Sequence, residues 1–236
     1  MAPIDQLGVE NNLRDVVEAA VGQYLTEVRR RVFSVASRPD WALWPSTLWP
    51  QIMAAEIVPR MQRIYEDLLV SQGVDKQSAA AYGRTFAGSL NDLINDPHIP
   101  DRVFSQVQGV VFSQSYAQGD QGTLLDELLI ASAVLWVGMI TVMAINAASL
   151  VWNGATYTAA IEARDRNPDA RVLKTWIARD DDRTRITHRL VDNTTIGVTD
   201  TFTVGGFPLR FPHDPFGPPQ EIMNCRCGLT FGVENG

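Results

Sequence analysis

The chain has 236 residues, a net charge of −7 and a hydrophobic fraction of 45%, which is enough for one large or two ordinary domains and excludes a disordered chain. Residues 1–162 carry 10 Lys+Arg against 17 Asp+Glu, and residues 163–236 carry 10 against 10, so no segment reads as a basic nucleic-acid arm. Two cysteines exclude a disulfide scaffold, and a first stretch with early acidic residues and no basic-then-apolar order does not read as a secretory signal, which places the chain in a cytoplasm.

From about Asn11 to Ala36, the residues Leu13, Val17, Ala20, Val21, Tyr24, Val28 and Val35 recur at helical spacing and predict one amphipathic helix. Arg38 to Pro50 holds Trp41, Trp44 and Trp49 among Pro39, Pro45 and Pro50. Prolines at that density forbid a long helix, and the stretch reads as an aromatic connector, either packed on the core or open to a partner. The helical period resumes at Ile52, with Pro59 expected to kink the helix or mark its start and Gly73 to stop it. Further helices are predicted over Gln77 to Ile94 and Arg102 to Ser115, separated by a turn that contains His98.

Between Glu127 and Glu162 no charged residue occurs, and Leu128 to Trp152 is mostly apolar. A long apolar helix over about 121–163 is expected. Its length could span a bilayer, but Asn146, the many small residues and the lack of flanking Lys or Arg favour a helix buried against others. Ala144, Ala148 and Ala155 would allow close approach. Beyond residue 165 the texture changes to short runs of β formers, Thr201 to Val204 and Leu209 to Phe211, around Gly205-Gly206. The fold class is therefore α+β: a mostly helical body over 1–165, then a small α+β domain over 166–236.

The chemistry sits in that last domain. Cys225 and Cys227 at i and i+2 of an extended segment point to one side and can share a ligand, while a disulfide between them is awkward and opposed by a reducing cytoplasm. A structural zinc ion is the natural candidate, since it accepts sulfur, imidazole and carboxylate and stabilises small domains. The spacing is not that of a zinc finger, and the bland alternative is a pair of small buried hydrophobes. His188 is the best third ligand; Asp181, His213 and Asp214 stay open as the fourth. Asp180-Asp181-Asp182-Arg183-Thr184-Arg185 admits two readings: carboxylates on a metal with arginines gripping phosphate, or an ion-pair network that fixes a turn. No phosphate-cradling glycine loop, HExxH pair or nucleophile elbow occurs.

Four blocks in order, Lys174-x-Trp176, Asp181-x-Arg183-Thr184-Arg185-x-x-His188, Pro212-x-Asp214-Pro215 and Asn224-Cys225-Arg226-Cys227, resemble the C-terminal domain of phage Mu F-like minor head proteins, the head morphogenesis family. The resemblance covers about residues 140–236. The chain departs from that pattern at Asn193 and His213, where the family commonly has glycine; Asn tolerates the left-handed backbone that such a turn needs. The resemblance implies a minor capsid protein of a tailed-phage virion, not an enzyme. It would sit inside the head at the portal vertex after assembly in the host cytoplasm. Portal protein and capsid subunits would be its partners, with contact to packaged DNA open. The metal set from the residues themselves is His188, Cys225, Cys227 and Asp181. Two other functions stand beside this one: a metal-dependent nuclease or hydrolase using His188, Asp181 and the cysteines, and a membrane-active protein ejected from the virion through Leu128 to Trp152.

Overall fold

Helix α1 (Gln6–Val32) buries one apolar stripe: Val9, Leu13, Val17, Ala20, Val21, Tyr24, Val28 and Val32. Asp5 caps it by accepting from the Gly8 amide at 2.6 Å. In the computed structural model, residues 5–32, 40–90, 101, 104–105, 108–109 and 121–234 are described, without the side chains of 121–137 and 139. Val35, His98 and ten of the fourteen residues of the helix expected at Arg102 to Ser115 fall outside the described residues.

The proline-rich connector forms a single 3-10 turn at Trp41–Leu43, capped by Asp40. Helix α2 (Leu48–Ile52) then passes through one π turn, Met53–Ile57, into α3 (Val58–Ser71). Pro59 neither starts nor breaks this run. It has no amide proton and its ring would strike the carbonyl four residues back, and the wider turn before it, in which the Val58 amide reaches Met53 O, makes room. Gly73, at φ 89, ends α3 with the Val74 amide on Leu69 O and its own amide on Val70 O, the two bonds of a Schellman cap. Helix α4 (Lys76–Ser89) starts where the Asp75 carboxylate accepts from the Gln77 and Ser78 amides. Helix α5 spans Gln121–Arg166. Among the described residues, no helix is long and apolar enough to cross a membrane.

The chain divides into two compact units, neither of them contiguous: Met1–Leu13 with Arg60–Gly88 and Val142–Gly236, and Arg14–Pro59 with Ser89–Thr141. In the second, Tyr24 meets Trp49 edge-on at 5.5 Å, and Trp41 and Trp44 both pack against Phe104 at 5.7 and 5.0 Å. The tryptophans of the connector are packing anchors.

The first unit carries the sheet. Strand β1 (Arg171–Ile177) lies between β2 (Thr195–Gly197) and β5 (Gly228–Glu234), antiparallel to both. A hairpin of β3 (Phe202–Val204) and β4 (Phe207–Leu209) turns on Gly205-Gly206, both at positive φ. Two one-turn helices, α6 (Ile186–Arg189) and α7 (Pro219–Ile222), complete the domain. Strand β1 escaped the sequence reading because its inward set is Val172, Lys174 and Trp176, and a buried lysine disguises the period of two. The core joins Trp176, Phe202, Val204, Leu209, Phe211, Leu229 and both cysteines, with Tyr157 of α5 packed on it. Ala144, Ala148, Ala155, Ala159 and Ala160 are all buried along α5, and Ala160 packs with Val172 and Val198. Tyr65 of α3 stacks on Phe86 of α4 at 4.3 Å and shares a hydrogen bond with Thr158 at 2.7 Å. The chain is thus an α+β protein, helical first and ending in a small sheet region.

Candidate metal centre

One face of α5 holds the cysteine segment in place. Asn146, Ser149 and Asn153, at i, i+3 and i+7, lie along a single helical stripe. Asn146 Oδ1 accepts from the Asn224 amide at 2.7 Å, Ser149 Oγ donates to Cys225 O at 2.6 Å, and Asn153 Nδ2 donates to Cys227 O at 3.0 Å. Asn153 Oδ1 also accepts from the Leu229 amide at 2.8 Å. This short stretch has few strand partners of its own, and buried backbone groups left unpaired are costly. The helix supplies the partners.

The clamp presents Cys225 and Cys227 to His188, which α6 carries on its buried side. His188 Nδ1 is 3.3 Å from Cys227 Sγ and 3.6 Å from Cys225 Sγ. All three residues are buried, and their ligand atoms lie within 4.8 Å of one another, so the group can hold a metal ion. The Cys225 thiol's hydrogen bond, helped by His188, holds Cys227 well below the usual thiol range. The same bond, together with burial, pushes Cys225 up. The two thiols are thus pushed in opposite directions, and a bound cation would favour the deprotonated form of both. Soft sulfur with imidazole suits a transition metal of the zinc type and disfavours magnesium or calcium.

Glu221 is the residue the sequence reading missed. Its buried carboxylate takes His188 Nε2 at 3.1 Å and the Thr187 hydroxyl at 2.9 Å. A carboxylate on the far imidazole nitrogen orients the ring and leaves Nδ1 free for a metal, the usual outer support of a ligating histidine. A Pro218-Pro219 start, with Pro219 six residues before Cys225, was the available signal, since it forces a one-turn helix that aims Glu221 inward. Gly205 is tied to the same group: a Cβ there would lie 2.3 Å from Glu221 Oε1.

The expected fourth ligands are used elsewhere. Asp181 does not join the three, because its carboxylate pairs with Arg226 at 2.6 Å and accepts from the Arg183 amide at 3.1 Å. Asp214 takes Arg210 through both oxygens and caps the Arg210 and Phe216 amides. His213 is buried with Nδ1 2.7 Å from Ile222 O, and burial pushes it down to about 4. The run Asp181 to Arg185 is a pinned turn: Thr184 Oγ1 donates to Arg179 O, Arg185 to Met223 O and Arg189 to Asp181 O.

Beneath the centre, Trp176 meets the His188 ring edge-on at 5.5 Å. Lys174, fully buried, sets its ammonium 4.8 Å from the Tyr157 ring centroid and 5.4 Å from that of Phe202, a cation held by ring faces. Burial still lowers it to about 8, against the pull of Asp200 and Asp214. Above the centre, a pocket reaching the three ligand residues is lined by Arg179, Arg183, Thr184, Arg185, Asn224 and Arg226. No protein-family model, no curated protein and no solved structure matches this chain.

Proposed function

We propose that the chain is a minor head protein of a tailed bacteriophage, of the head morphogenesis class. In this reading it is a virion component at the portal vertex, bound to portal and capsid subunits and needed for head assembly or genome delivery. His188, Cys225 and Cys227 hold a structural zinc ion in its last domain. The support is one observation: three of the four sequence blocks that carry the resemblance meet at a single centre. Trp176 of the first packs on His188 of the second, Asp181 of the second pairs with Arg226 of the fourth, and the fourth supplies both thiols. Pro212 and Asp214 of the third are buried in the same unit. Asn193 and His213, which stand where the family commonly has glycine, have φ 57 and 64, so the backbone keeps a conformation that glycine adopts most easily.

Two measurements test the two halves of this reading. Mass spectrometry of purified virions should find the chain at low copy number beside the portal protein, and its absence from them sinks the assembly role. Elemental analysis of purified protein should find one zinc per chain. A substoichiometric content, with melting unchanged in Cys225→Ser, sinks the metal.

A second reading, a metal-dependent hydrolase, draws on the open side of the three-residue group, since catalytic zinc sites use three protein ligands and leave one position for water. Against it, no carboxylate lines the pocket to activate that water, and Glu221 bonds the far nitrogen of His188. Zinc-supported cleavage of a phosphodiester, lost in His188→Ala with the fold intact, would favour the enzyme.

A further inference from the structure

The pocket over the metal centre has a composition that the staple does not require. Four arginines line it, Arg179, Arg183, Arg185 and Arg226, together with Thr184 and Asn224, and no Asp or Glu does. Two of the four are spoken for: Arg226 is paired with Asp181, and Arg185 donates to Met223 O. Arg179 reaches Asp181 only at 3.9 Å, and the exposed Arg183 side chain has no ion-pair or hydrogen-bond partner among the described residues. A dication shared by two thiolates is neutral, so the loaded centre would add nothing to offset Arg183 and Arg185, which pair with no carboxylate among the described residues. A set of like charges held around one concavity is unfavourable unless an anion enters, and planar guanidinium forks match an oxyanion's edge.

We propose that this pocket is a binding site for a single phosphate-class oxyanion, gripped by Arg183 and Arg179 and bordered by Arg185, Arg226, Thr184 and Asn224. The enclosed space is only about 10 Å³, room for one water-sized group, so the oxyanion would sit at the mouth of the pocket with the rest of its carrier outside. The inference needs the arginines and the fold of the Asp181 turn, and it stands apart from any role in a phage head.

Isothermal titration of inorganic phosphate into the full chain tests it, on protein of measured metal content and again after chelation. Saturable binding is expected in the wild type. Arg183→Gln should weaken it by about tenfold and Arg183→Lys, which keeps the charge and loses the fork, by nearly as much. Arg179→Gln/Arg183→Gln should abolish it with the circular dichroism unchanged. Phosphate should also raise the melting temperature of the wild type and leave that of the double variant where it is. The proposal is overturned by no saturable binding up to about 10 mM phosphate, by equal affinity in the double variant, or by binding to a DNA duplex without terminal phosphates while phosphate itself is silent. Should the double variant misfold, Arg183→Lys alone decides, through the loss or survival of binding. Phosphate binding in protein without zinc leaves the pocket standing and removes the metal. Zinc at one equivalent with no phosphate binding removes the pocket alone.

Discussion

Asn153→Ala is the substitution that tests the clamp most directly. The side chain is fully buried and makes two hydrogen bonds to the backbone of the cysteine segment, to Cys227 O at 3.0 Å and from the Leu229 amide at 2.8 Å. Alanine removes both and leaves a carbonyl and an amide buried without their side-chain partner. Each such group costs about 1–3 kcal/mol, which predicts a total loss of about 2–5 kcal/mol. For a unit of this size that lowers the melting temperature by roughly 5–15 °C, measured by calorimetry with denaturant midpoints as a check. The neighbours set an internal scale. Ser149→Ala loses one buried bond and should cost about 1–2 kcal/mol, and Asn146→Ala loses a bond to an exposed amide and should cost less than about 1 kcal/mol. Zinc affinity by competition titration should fall in the same order, because the clamp organises two of the ligands. A stability for Asn153→Ala within about 0.5 kcal/mol of wild type, or an inverted order along the three positions, refutes the clamp.

Acid stability should depend on His213. Burial lowers it from 6.5 to about 4, so between those values the unfolded chain binds a proton that the native chain refuses, and stability falls as pH drops by up to about 3 kcal/mol. His213→Asn, which tolerates the left-handed backbone, should lose less between pH 7 and pH 4 in urea titrations, and equal slopes would remove the effect. Lys174 works on the alkaline side. Its fall from 10.5 to about 8 means that the unfolded chain alone holds the proton in that window, so stability rises from pH 8 to pH 10.5 by up to about 3 kcal/mol. Lys174→Met should abolish this rise, and a rise of the same size in the variant would show that other groups cause it. Gly205→Ala forces a side chain at φ 58 into the Glu221 carboxylate. It should cost about 1–3 kcal/mol and, by shifting the partner of His188, about tenfold in zinc affinity; unchanged affinity would separate Glu221 from the metal site.

Local chemistry wrote much of this protein in plain view. The three-and-four spacing of Leu13, Val17 and Val28 placed α1 on its buried side, and Gly73 ended α3, because periodicity and capping depend on residues a few positions apart. The meeting of His188 with Cys225 and Cys227 was readable as well, since their residue types leave few other uses in a small domain. Asp181 lies outside the three-residue group because a carboxylate's partner is set by what folding brings to it, and here that is Arg226, 45 residues on.

Only the tertiary structure could pair Asn146, Ser149 and Asn153 with the cysteine segment 74–78 residues away. In the sequence these are polar interruptions of an apolar run; in the fold they are the hydrogen-bonding partners of backbone that no strand satisfies. Glu221 became visible for the same reason, as the carboxylate behind His188. Side-chain spacing encodes which face of an element is buried. It does not encode which distant backbone that face will meet, and on that meeting the grouping of His188, Cys225 and Cys227 depends.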